Sequence, residues 1–90
     1  MAERSEKTQD LALQLSQVFY KNGRILKRRS KNMVAEDLGI VMPGYYRQVE
    51  HIRSAWKKRG WVTLAGYETI IITWRGYRVV EGEEAKRVAR

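Results

Sequence analysis

The chain has 90 residues, with 18 Lys or Arg against 10 Asp or Glu for a formal charge of +8, and it contains no cysteine. One domain with a modest core fits that length, and the absence of cysteine excludes disulfides, thiolate zinc sites and thiol nucleophiles. The N-terminal MAERSEKTQD is polar and no apolar run approaches the about 20 residues that span a bilayer, so a soluble, cytoplasmic chain with no membrane partner is expected.

In chain order, residues 5–21 read as a first helix, with Ser5 or Thr8 as N-cap, a core stripe of Leu11, Leu15, Val18 and Phe19, and Asn22-Gly23 as its stop. A basic connector, residues 24–31, follows. It holds Arg24, Lys27, Arg28, Arg29 and Lys31, and Ile25-Leu26 suits a short strand. Val34 and Leu38 lie four apart on a second helix, residues 32–38, which Gly39 closes. Pro43 stands in the first turn of a third helix, residues 43–59, where proline is tolerated best. On that helix Tyr45, Val49, Ile52 and Trp56 fall at i, i+4, i+7 and i+11, a single apolar stripe. Arg47, Glu50, His51, Ser54 and Lys58 occupy the opposite face. One side is suited to packing and the other is polar and mostly basic.

Strands over 61–64 and 68–72 then form a hairpin about Ala65-Gly66, with Ile70 and Ile72 on one face and Thr69 and Ile71 on the other. A lone hairpin is unstable, so this one is expected to pack on the helices through Trp61 and the isoleucines. The last segment is ambiguous. As a strand it offers YRVV; as a helix over 74–88 it has Thr73 as N-cap and basic residues at its end, where the dipole favours them. The helix is preferred, frayed near Gly82. Trp56, Trp61 and Trp74 are read as core or dimer contacts.

The charge is unevenly placed. Residues 24–59 carry ten Lys or Arg against Glu36, Asp37 and Glu50, whereas residues 1–23 and 81–90 each balance. Such an excess around the two-helix stretch points to a polyanionic partner. Catalysis finds little support. A single histidine without cysteine excludes the usual zinc sets, Glu36 and Asp37 are adjacent on a helix and face different directions, and no glycine-rich phosphate loop is present. A non-enzyme with no cofactor, metal or small-molecule ligand is expected.

Helix, basic connector, AEDLGI, turn, a helix ending in RGWV, hairpin, and T-x-x-G opening a last helix together resemble the winged helix-turn-helix family of small DNA-binding regulators of bacteria, archaea and their viruses. The resemblance runs from about Leu11 to Glu84. It is strongest in Ala35, Leu38, Gly39, Tyr45, Val49 and Ile52 and in Gly60-Trp61-Val62 leading to Thr73 and Gly76. It departs from the family in the turn, where Val41, Met42, Pro43 and Gly44 replace the usual small hydroxyl residues, and in a recognition helix about one turn longer. The resemblance implies an α+β fold, a winged helix-turn-helix with a three-helix core, a β-hairpin wing and a C-terminal helix. It also implies a nucleoid-associated homodimer, joined through the first and last helices, that binds double-stranded DNA with helix 43–59 in the major groove and the wing on the adjacent backbone.

On that basis Arg47 suits bidentate contact with guanine and Gln48 with adenine. Pro43 and Gly44 begin the helix at the DNA, Tyr46 flanks the contact face with a hydroxyl suited to phosphate, and Ser54 and His51 lie on it, His51 suited to donate to a phosphate or a base edge. Arg28, Arg29, Lys31, Lys57 and Lys58 neutralise phosphates. Tyr46 reads equally well as partly core, and His51 as a plain surface histidine. Two other functions fit the same sequence: a non-specific or structural nucleic-acid binder, such as a chromatin, partition, replication or ribonucleoprotein component, and a winged-helix module that binds protein.

Overall fold

The computed structural model describes residues 6–41 and 45–88, with residues 6–9, Tyr45 and Tyr46 described by their backbone alone. The domain is α+β, with four helices and a small antiparallel sheet, a layout compatible with that of a winged helix. No described helix is long and apolar enough to cross a membrane.

Helix α1, Glu6–Phe19, is the element around which the other helices gather: α2, α3 and α4 all pack on it. Ala12, Leu15, Val18 and Phe19 are buried along one stripe, with Leu11 partly buried beside them. The Ser5 cap lies outside the described residues, as does the side chain of Thr8.

The helix ends two residues before the predicted Lys21. Tyr20 and Lys21 form β1, which pairs with β2, Arg24–Ile25, in the register Tyr20↔Ile25 and Lys21↔Arg24. Asn22-Gly23 is therefore a two-residue hairpin turn and not the helix stop expected from sequence. Both residues have positive φ, 53° and 81°, the geometry in which a turn's twist matches that of its strands.

The connector continues as β3, Arg28–Ser30, a strand where the sequence pattern suggests loop. It lines up with β5, Thr69–Ile72, which also pairs with β4, Val62–Ala65, giving the order β3-β5-β4. Hydrogen bonds from Lys31 N to Glu68 O, 2.9 Å, and from Ile72 N to Lys27 O, 2.9 Å, close the two ends of the β3 pairing. On β5, Ile70 and Ile72 point into the core, as does Val62 on β4.

Ser30 serves as both the last strand residue and the N-cap of α2, Lys31–Leu38, accepting from Met33 N at 3.2 Å. Two helices end in the same way. Gly39, with φ 69°, follows α2 while Gly39 N and Ile40 N donate to Glu36 O and Ala35 O; Gly60, with φ 78°, follows α3, Tyr45–Lys58, while Gly60 N and Trp61 N donate to Lys57 O and Trp56 O. Trp56 centres the core. It is fully buried, meets Phe19 edge to face at 6.1 Å, and donates its indole N–H to Leu11 O at 3.0 Å.

Helix α4, Trp74–Val88, runs unbroken through Gly82. Its start is locked to the end of α3. Thr73 Oγ1 donates to Gly60 O at 2.5 Å and accepts from Gly76 N at 3.1 Å, while Thr73 N donates to Trp61 O at 2.9 Å. A Cβ on Gly76 would lie 2.1 Å from the Trp61 carbonyl oxygen, so only glycine admits this approach. Trp61 is buried, whereas Trp74 is 72% exposed and is no core residue, because it lies on the side of α4 away from the buried Gly76 and Val80.

Candidate nucleic-acid interface

Helix α3 carries two kinds of cation. Its inner face docks through Val49, Ile52 and Trp56, and the flank next to α2 is tied down by Glu50, which accepts from Arg53 one turn on and from the Lys31 ammonium at 3.1 Å. The Lys31 hydrogen bond holds the Glu50 carboxyl below its usual range, with Arg53 adding to the effect, although burial opposes it. Glu50, expected on the open polar face, is a strut between α3 and the start of α2.

The outer face holds Arg47, His51, Ser54 and Lys58, with Gln48 and Lys57 at its two edges, all exposed. Among the described residues, none of the ion pairs involves Arg47, Lys57 or Lys58. Lys57 and Lys58 occupy the last turn, where the helix dipole favours cations. Pro43 and Gly44 lie outside the described residues, and so does the side chain of Tyr46.

The connector cations divide differently from the sequence expectation. Arg28 is exposed on β3, the edge strand. Arg29, its neighbour, points the other way because strand side chains alternate, and it donates to Asp37 of α2 at 2.7 Å. Asp37 also binds Lys21 of β1 at 3.2 Å, so one carboxylate joins β1 and β3 to α2. The side chain of Lys31 is only 8% exposed and is bonded to Glu50. Arg29 and Lys31 thus hold the fold together in places where phosphate contacts are expected from sequence.

Arg24 and Lys27, which in the sequence are no more than members of the basic cluster, are both exposed beside Arg28. Tyr67 is absent from the contacts expected from sequence, yet it stands 85% exposed at the tip of the β4–β5 hairpin, where Gly66 takes φ 70°. Its signal lies in the turn at Ala65-Gly66, which sets the next residue at the tip. Exposed aromatic and cationic groups on the connector, α3 and the hairpin tip present hydrogen-bond donors and planar surfaces suited to an anionic, base-bearing polymer.

Comparison with protein-family models, with curated proteins and with solved structures found no match to this chain.

Proposed function

We propose that the chain is a winged helix-turn-helix protein that binds double-stranded DNA sequence-specifically, as a small homodimeric transcription regulator. Helix α3 enters the major groove, and the β4–β5 hairpin with Tyr67 at its tip lies along the neighbouring backbone. The observation that carries this reading is the division of cations on α3: Arg53 is engaged by Glu50, while Arg47 and Lys58 stand exposed on the outer face and Lys57, one turn past Arg53, is exposed at its edge. Support also comes from the order of elements, helix, short hairpin, strand, two helices, two strands and helix, with the first strand of the three-stranded sheet paired to the last.

Within this reading Arg47 contacts guanine and Gln48 adenine, His51 and Ser54 contact base edges or phosphates, and Arg28, Lys57 and Lys58 set affinity through the backbone. Arg29 and Lys31 act through the scaffold.

The test is selection of bound sequences from a random duplex pool at physiological salt, then titration of the winner against scrambled DNA. An enriched motif preferred by about a thousandfold or more is the expected result. Tight binding without enrichment would replace it with a structural nucleic-acid binder, and no binding would leave a protein partner.

A further inference from the structure

The outward face of α4 has no counterpart in the fold. Gly76 and Val80 are buried against the rest of the domain, and the opposite side presents Trp74, Arg78, Glu81, Ala85 and Val88, spaced four, three, four and three apart. Trp74 is 72% exposed and Val88 83% exposed. The indole is held in one orientation: Tyr77 stacks on it at 6.0 Å with rings 11° apart, and the Arg78 guanidinium lies 5.5 Å from its centroid. Beside the helix, Ile25, Leu26 and Tyr20 of the β1–β2 hairpin continue the apolar surface as a shallow groove.

We infer that this face is the contact between two copies of the chain, with α4 packed antiparallel on α4 of the second copy. The occupant follows from the charge order along the stripe. An isologous interface must complement itself under a two-fold rotation. Placing the axis between Arg78 and Glu81 sets Arg78 of each copy against Glu81 of the other, and the same rotation brings Trp74 over Ala85, whose small side chain leaves room for the indole. A surface of one sign would repel its own copy, whereas here Arg78 and Glu81, paired with each other at 3.5 Å within the chain, exchange that partner for its counterpart in the second copy. An exposed tryptophan at each end of the paired helices is the kind of large aromatic that anchors such contacts.

The arrangement leaves α3 open. Both α3 and α4 pack on α1, and the grooves beside α4 share no lining residue with those along the outer face of α3. This inference rests on the homodimer of the proposed function and gives it an interface, and it is tested without DNA, so its failure is distinct from a failure of DNA binding.

Sedimentation equilibrium of the full chain without DNA, at up to about 100 μM, tests it. Twice the 10.6 kDa chain mass is the expected result. Trp74→Glu, at an exposed position, should weaken self-association by about tenfold or more with an unchanged circular dichroism spectrum. Arg78→Glu and Glu81→Arg chains should each associate poorly alone and regain dimerisation when mixed, since the mixed pair places opposite charges at both contacts. A monomeric parent chain, a dimer indifferent to Trp74→Glu, or charge-reversed chains that do not recover on mixing would overturn the assignment.

Discussion

Arg28 and Arg29 are adjacent in sequence and opposite in surroundings. The pleat of β3 turns Arg28 to solvent and Arg29 to Asp37, so their replacement should separate two kinds of effect. Arg28→Ala should reduce the slope of log affinity against log salt by about 1 while leaving thermal stability in place. Arg29→Gln should leave the slope unchanged and cost about 2 kcal/mol of stability, because it removes a charge-assisted hydrogen bond to a mostly buried carboxylate. Chemical denaturation and salt titration of the two variants measure both. On α3 the contrast is between base and backbone. Arg47→Ala should lose about 1–3 kcal/mol on the selected site and little on random duplex, whereas Lys58→Ala should weaken both alike. Equal losses on both duplexes for both variants would end that assignment.

At the scale of elements, the junction between α3 and α4 is the tightest point in the chain. The T-x-x-G segment works by three coupled contacts: Thr73 bonded to Gly60, Thr73 N bonded to Trp61 O, and Gly76 seated against that same carbonyl. Gly76→Ala should cost about 3 kcal/mol or more, at the upper end for overpacking, because the group it strikes is backbone and cannot swing away. Gly82, on the same helix, is different: a Cβ there would meet nothing within 4 Å. Gly82→Ala should therefore stabilise the domain by about 1 kcal/mol through helix propensity alone. Opposite signs for these two identical substitutions, read from thermal melts, are the expected outcome. The same sign would show that the close approach at Trp61 is relieved elsewhere.

Across the whole molecule, carboxylates decide which cations remain available outside. Asp37 and Glu50 engage Lys21, Arg29, Lys31 and Arg53, the last three within the strongly basic stretch 24–59. Glu50 also makes stability depend on pH. Its folded-state pKa is lowered from 4.5, chiefly by the Lys31 hydrogen bond, so its contribution is complete above the unfolded value and fades as pH falls through the lower folded one. Glu50→Gln should be less stable than the parent at pH 7 by no more than about 1 kcal/mol, since the carboxylate is 41% exposed and solvent screens the pair. The difference should shrink below about pH 4.5 and vanish once the carboxyl is protonated in both states. Denaturant midpoints measured from pH 7 to pH 3 give the curve, and a difference that stayed constant with pH would remove Glu50 as the source.

Much of this domain was readable from the order of residues because it depends on contacts close in the chain. Apolar spacing in α1 and α3 and the glycines after α2 and α3 act within one or two turns, so three helices and the main hairpin were legible in the residue order, while the last segment was open to strand or helix with Thr73 favouring the helix that forms. The outer face of α3 was legible for the same reason, since a helix that buries Val49 and Trp56 must expose Arg47, His51 and Lys58. Asn22-Gly23 shows the limit of local signals, since the same two residues suit a helix stop and a hairpin turn. The rest came from contacts between segments far apart in the chain. The pairing of β3 with β5, the capture of Arg29 by Asp37 and of Lys31 by Glu50, and the exposure of Trp74 all depend on which distant segment arrives beside each residue. An arginine's type and neighbours are the same whether it faces water or a carboxylate, and it is the packing of the elements that settles the difference.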